Sequence, residues 1–578
     1  MIPLAQRRAC GREQERVGPA ISTRQALRDC LFLGLVVLLS LALYVGGLGF
    51  YSDDWGFLML LATARDQSLS GLAQALYAGD VVIRQRPLQV IYLAGLYRLF
   101  GLQPLGYHLS NGAVLAGCAM LLYLAMRELR QPRLLALAVP LVYALLPHYS
   151  TDRFWVAAFQ ATLSVALYLL SLYADLRALP ARPARLWGWR LLGVASLLGS
   201  GLAYEVTLPL LLLLNPALLC YRARQLARSA QALAISRARW AALLVGNLVA
   251  LGLVVWYKVL VTVRVNVAID YASHVAGLVA GALRVNYGTY GVGLPYIAWW
   301  ILRNAPSWPT IALAAATGLA IFLYLARVAG RNDAELPGRR IWLALGALGL
   351  AVFGLGYAIF LVNADVWFTS TSLGNRIGIA AALGVAISFV AALGWAGALL
   401  PAPFRWRALC LLVAALCASG FLITNTLGSF WGVAALRQQA IVRDIRQRLP
   451  TLAPGSAVIV DGACLEHGGA YLFTGGRDVA ALLAIAYGDP SLQGTAVIEP
   501  ARVTADGLAI STFRRERSYP YGENLLIYNA AWKQVERLTD AAAARGYFQR
   551  SGFDPARDCP PGFAWGWNAA PGGARDSS

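Results

Sequence analysis

Uncharged, apolar stretches recur along most of this chain, each long enough for a helix and each closed by charged residues. They run 30–52, 99–126, 134–151, 154–174, 191–221 with Glu205 inside it, 240–257, 304–326, 341–364, 377–404 and 408–436. About 20 helical residues cross roughly 30 Å of hydrocarbon, so nearly all of these runs predict membrane-crossing helices. The run 191–221 is too long for one crossing and carries arginine at both ends. Two shorter helices turning near Tyr204 and Glu205 resolve the conflict and bring the expected count to eleven. After about residue 430 the pattern changes. AVIVDGA and NLLIYN predict short strands and WKQVERLTDAAAARGYF a helix, which makes a small α/β domain.

Three parts are therefore expected: a tail 1–28, a helical membrane module 29–430 with a loop 51–98, and a domain 431–578. Composition agrees. Of 578 residues, 58% are apolar and 13% charged, too little polar surface for a soluble globular enzyme. The net charge of +20 would fit nucleic-acid binding only if basic residues clustered on a soluble domain. Instead the arginines sit in short loops beside the apolar runs. Placing the amino terminus in the cytoplasm puts most of them inside, and it puts 51–98, 149–153, 258–307, 363–376 and the carboxyl-terminal domain outside. The first apolar run lacks a small-residue cleavage site and is read as a retained anchor. The eight cysteines form no CxxC pattern, which argues against structural zinc. Cys464 and Cys559, alone in the outer domain, either pair in an oxidising compartment or remain thiols.

Under that topology the ionisable candidates gather on one side. Asp53 and Asp54 adjoin the end of the first span, where neighbouring carboxylates need a cation, a shared proton or full hydration. One is a candidate general base or metal ligand; a solvated acidic turn is the plain alternative. Arg86 and Arg376 could each grip a phosphate with two donors, or merely reach for lipid headgroups. His108 and Asn111 share a helical face, and Asp152 precedes Arg153 at an outer turn. Asp365 lies in a later outer loop. Glu205 is the lone formal charge in its run and should face a water-filled site or a partner cation. Transporters place such groups near mid-bilayer, whereas a one-sided outer set suits an enzyme. No Walker loop, GxSxG, HExxH or dinucleotide fingerprint is present.

The YSDDW loop, the RPL step, LFGLQPLGYHLSN, SLGNRIGIAAALG and SFWGVAALRQQ together resemble the GT-C glycosyltransferases, closest to bacterial relatives of the protein O-mannosyltransferase and aminoarabinose transferase group. The resemblance covers residues 29 to about 450. It implies a bacterial inner-membrane enzyme that moves a sugar, with inversion, from a polyprenyl-phosphate donor to a protein, glycolipid or glycan acceptor on the outer face. It places the reaction centre at Asp53 or Asp54 and the donor phosphate at Arg376, assisted by Arg86. His108, Asp152, Glu205 and Asp365 would support the site. A divalent cation, Mg or Mn, on Asp54 stays open, because DD stands here where protein mannosyltransferases have DE. A glycan polymerase or ligase is the rival enzyme reading, and a lipid or glycolipid translocator the non-enzymatic one. No nucleic-acid partner is expected.

Overall fold

The apolar runs become helices. The computed structural model describes residues 22–228, 237–262, 270–330, 338–363, 366–512 and 515–559. Among these, seven helices are long and apolar enough to cross a membrane: Pro104–Glu128, Val156–Ala178, Glu205–Ala227, Arg239–Val261, Trp308–Gly330, Arg339–Val362 and Ala402–Arg448. Helices Thr23–Leu39, Arg133–Leu145, Pro183–Ala203 and Ala381–Gly397 occupy the remaining predicted runs but are shorter or more polar. Many of the long helices turn leucine and valine outward. Leu248 and Leu253 are half exposed, as lipid-facing positions of a polytopic membrane protein should be. The run 191–221 breaks where its charge pattern requires: the helix ends at Ala203, Tyr204 is extended (φ −160°, ψ 146°), and Glu205 opens a new turn.

The loop 51–98 is itself helical, as Asp53–Ala62, Leu69–Gly79 and Pro87–Phe100, with proline at the first turn of the last. Their buried leucines form a second small core beside that of the membrane module.

The expected boundary at 430 falls inside a helix. Ala402–Arg448 runs unbroken for 47 residues, and the first strand begins only at Ala457. Four strands then form a sheet, β1 (Ala457–Asp461), β2 (Gln493–Ala496), β3 (Leu525–Asn529) and β4 (Gln534–Arg537), in the order β2-β1-β3-β4. β1 is parallel to both β2 and β3, and β4 returns antiparallel. Both predicted strands are thus central and fully buried. The predicted helix 532–548 is only half right. Lys533, in the left-handed region (φ 56°), turns the chain back into β4, and the helix Ala541–Ser551 starts at Asp540, whose carboxylate accepts from the Ala543 N–H at 2.8 Å. Cys464 and Cys559 are joined, with Cα atoms 5.5 Å apart. Of the predicted tail 1–28, residues 1–21 lie outside the described part.

Candidate functional site

The turn at YSDDW is fixed from three directions. Tyr51 is fully buried, and its hydroxyl donates to the Trp431 carbonyl at 2.7 Å. Its own carbonyl accepts from the Trp155 indole at 2.9 Å. Ser52 sits at φ 50°, a backbone state that costs a non-glycine residue energy and survives only where neighbours impose it. Asp54 is 1% exposed and accepts from the main-chain N–H groups of Tyr51 (2.9 Å), Ala157 (2.6 Å) and Val156 (3.3 Å). Burial pushes its carboxyl well above the usual range, while those three donors hold it back. Asp54 is thus a clamp between two segments, and it does not line the cavity described next, which corrects its expected catalytic and metal-binding roles. Its two oxygens are already committed, and no group of three His, Cys, Asp or Glu side chains able to hold a metal occurs among the described residues. The donor set does not fit a divalent cation on Asp54.

Asp53, one step along the same helix, faces the other way. It lines a cavity of about 1060 Å³ together with Arg86, Glu205 and Arg376, so four of the predicted residues from four distant parts of the chain do meet. Glu205 accepts from Arg86 at 2.8 Å and from Lys258 at 3.0 Å, and the Arg86 guanidinium lies 4.3 Å over the Tyr204 ring. Arg376 is different: among the described residues it has no ion pair. It lies between the indoles of Trp155 (5.0 Å) and Trp367 (5.8 Å) and donates to the Leu373 carbonyl at 3.3 Å. The lining as a whole carries four cations, Arg86, Lys258, Arg376 and Arg477, against three carboxylates, Asp53, Asp80 and Glu205. Gln89 and Gln160 add amide oxygens to its wall that meet no donor among the described residues.

His108 and Asp152 of the predicted set lie off the cavity. His108 is buried beneath the turn, where its Nε2–H donates to the Gly49 carbonyl at 3.0 Å, a packing role. Asn111 donates to the Asp152 carbonyl at 2.7 Å. Asp152 is 1% exposed and off the cavity, with neither carboxylate oxygen hydrogen-bonded among the described residues; burial raises its pKa strongly, against the pull of Arg376 and Arg153. Asp365 falls outside the described residues.

Sequence reasoning missed Lys258, Asp80 and Arg477. Lys258 had a signal: 47 of the 49 basic residues are arginine, so a lysine at the end of an apolar run is itself an exception. Asp80 and Arg477 had none, because they pair with each other across 397 residues. Through that pair the carboxyl-terminal domain reaches the cavity. A second link lies alongside. The Ser52 hydroxyl donates to Thr474 Oγ1 (3.1 Å), which donates to the buried Asp478 (2.9 Å).

A polytopic helical membrane protein whose cavity is lined by four basic and three acidic side chains, beside a small α/β domain, is the class these features define. No protein-family model matches the chain, and no curated protein matches it. Among solved structures the chain is similar to ArnT from Cupriavidus metallidurans. Crystal structures of ArnT bound to undecaprenyl phosphate and in the apo state each align over 80% of this chain and 84% of theirs at 16% identity, with TM-scores of 0.35 and 0.37.

Proposed function

We propose that this protein is an integral membrane glycosyltransferase that moves a sugar, with inversion, from a polyprenyl-phosphate donor to an acceptor hydroxyl on the outer face of the bacterial cytoplasmic membrane. In this reading the chain crosses the bilayer eleven times with its amino terminus inside. One observation carries the reading: Asp53, with no hydrogen bond or ion pair among the described residues, lines the same cavity as Arg376, Arg86 and Lys258.

The acceptor oxygen attacks the anomeric carbon while Asp53 takes its proton, a general-base contribution of about 10²- to 10⁴-fold. The bond from that carbon to the phosphate oxygen breaks on the far side. The donor phosphodiester carries one negative charge and the departing polyprenyl phosphate two. Arg376, Lys258 and Arg86, partly balanced by Glu205, meet that added charge. The pair on Glu205 keeps Arg86 and Lys258 oriented before the donor arrives, which limits the ordering cost on binding. Gln89 and Gln160 offer acceptors for sugar hydroxyls. The apolar residues Val255, Val259 and Val362 at the cavity's edge suit a prenyl chain lying in lipid. Sugars on nucleotides are not normally available outside this membrane, whereas a lipid-borne sugar is.

Asp53→Asn in isolated membranes, supplied with lipid-linked donor and acceptor, is expected to abolish release of polyprenyl phosphate while leaving insertion intact. Full release by that variant would overturn the assignment. Wild-type protein that moves the lipid without cleaving it would favour a translocator instead.

A further inference from the structure

The carboxyl-terminal domain has a cavity of its own, about 480 Å³, between the last turns of the helix Ala402–Arg448 and the sheet. Its place in the sheet is distinctive. β1 is flanked by two parallel neighbours reached in opposite directions, so the strand order reverses at β1. The loops that leave the carboxyl ends of β1 and β3, at Gly462–Cys464 and Ala530–Lys533, line the cavity. Crevices at such reversals in open parallel sheets are where ligands bind.

Three cations line it, Arg437, Arg443 and Lys533. The acid on the same helix, Asp444, is already taken by Arg448 (3.0 Å) and the Tyr528 hydroxyl (2.7 Å). Lys533 is one of only two lysines in the chain, and the other, Lys258, lines the cavity of Asp53. It also holds a left-handed backbone that costs a lysine energy, and such outliers gather at functional positions. The floor is preorganised: Cys464, in the loop after β1, is tied to Cys559. The cavity is joined to the first site as well. Glu466 on its rim accepts from Ser372 at 2.8 Å, four residues before Arg376.

We infer that this cavity is a second binding site, for a saccharide bearing a phosphate or carboxylate, which holds the anionic part of the acceptor while the rest of it reaches the cavity of Asp53. The cations take the anion, while the Gln447 amide and the Tyr528 edge flank a sugar ring. The name acceptor rests on the transferase reading; the binding does not, and the two fail separately. The test uses the full chain in detergent and measures binding of glucose 6-phosphate, glucuronate, glucose and inorganic phosphate by saturation-transfer NMR and calorimetry.

The anionic sugars are expected to bind at least tenfold more tightly than glucose. Arg443→Gln with Lys533→Asn should remove that preference; asparagine suits the left-handed backbone and keeps the turn. Arg376→Ala should leave the preference in place. Equal binding of glucose, binding of inorganic phosphate as tight as glucose 6-phosphate, an unchanged double variant, or loss in Arg376→Ala would each overturn the inference.

Discussion

Two adjacent carboxylates have opposite fates here because successive residues at a helix start point about 100° apart. Asp53 is left to the cavity, and Asp54 is turned inward onto three main-chain N–H groups. Their variants should therefore separate cleanly. Asp54→Ala would leave those buried donors unmatched, at about 1–3 kcal/mol each, so thermal melts of the purified protein should show a large loss of stability. Asp53→Asn should melt like the parent and fail only in transfer. Arg376→Ala is expected to lower kcat about 10²- to 10³-fold, the usual cost of removing one donor to a developing anion, which single-turnover assays can read. That an acid stands at the end of the first apolar run was legible from the sequence. Which of the two faces the cavity was not, since a dipeptide does not state the phase of the helix it begins. His108 and Asp152 misled for a similar reason: a polar residue near a helix end reads alike whether it lines a site or ties two segments together.

At the scale of elements, the decisive contact is the helix Gly476–Tyr487 against Asp53–Ala62, the helix that carries Asp53. The link from Ser52 through Thr474 to Asp478 holds the strained residue next to Asp53. Thr474→Val should thus lower kcat with little change in KM, and Thr474→Ser should restore it; a purely structural role would not give that split. Asp80 adds a pH dependence. Burial would raise its carboxyl, but the Arg477 guanidinium and the N–H groups of Ile83 and Val82 outweigh it and hold the folded-state value below 3.8. Its stabilisation is therefore complete above about pH 4 and lost as pH falls through the lower folded value. Acid should loosen the domain from the loop helices, seen as faster proteolysis in 449–456, and Asp80→Asn should remove that acid-induced step. None of these links was legible, because they join stretches hundreds of residues apart and each partner alone is an ordinary surface charge or hydroxyl. The strands at 457 and 525 were legible, since each is a short apolar run with β-branched or aromatic residues, bounded by turn residues and too short for a helix.

For the whole molecule, the apolar runs predicted the helices well, because the cost of exposing main-chain groups to lipid leaves few alternatives. The domain boundary escaped prediction, since the helix Ala402–Arg448 continues past its apolar part into a polar one without a break. At 1.5 Å per residue its 47 residues extend about 70 Å, more than twice the thickness of the hydrocarbon. Cys464→Ser should cost about 2–4 kcal/mol of domain stability, measured by chemical denaturation, because the bridge closes a long loop in the unfolded chain. The long helix has a further consequence. Its face at Gly432 and Ala435 packs on the first-span region, at Gly47 and Gly49, and from Gln438 it holds the sheet domain through the Leu472 carbonyl. It works as a keyed shaft, so the azimuth of the domain is set by residue count alone. One alanine inserted after Leu436 would rotate everything beyond it by about 100° and swing Arg477 away from Asp80, whereas seven would bring the domain back to within about 20° of its original bearing, only further out.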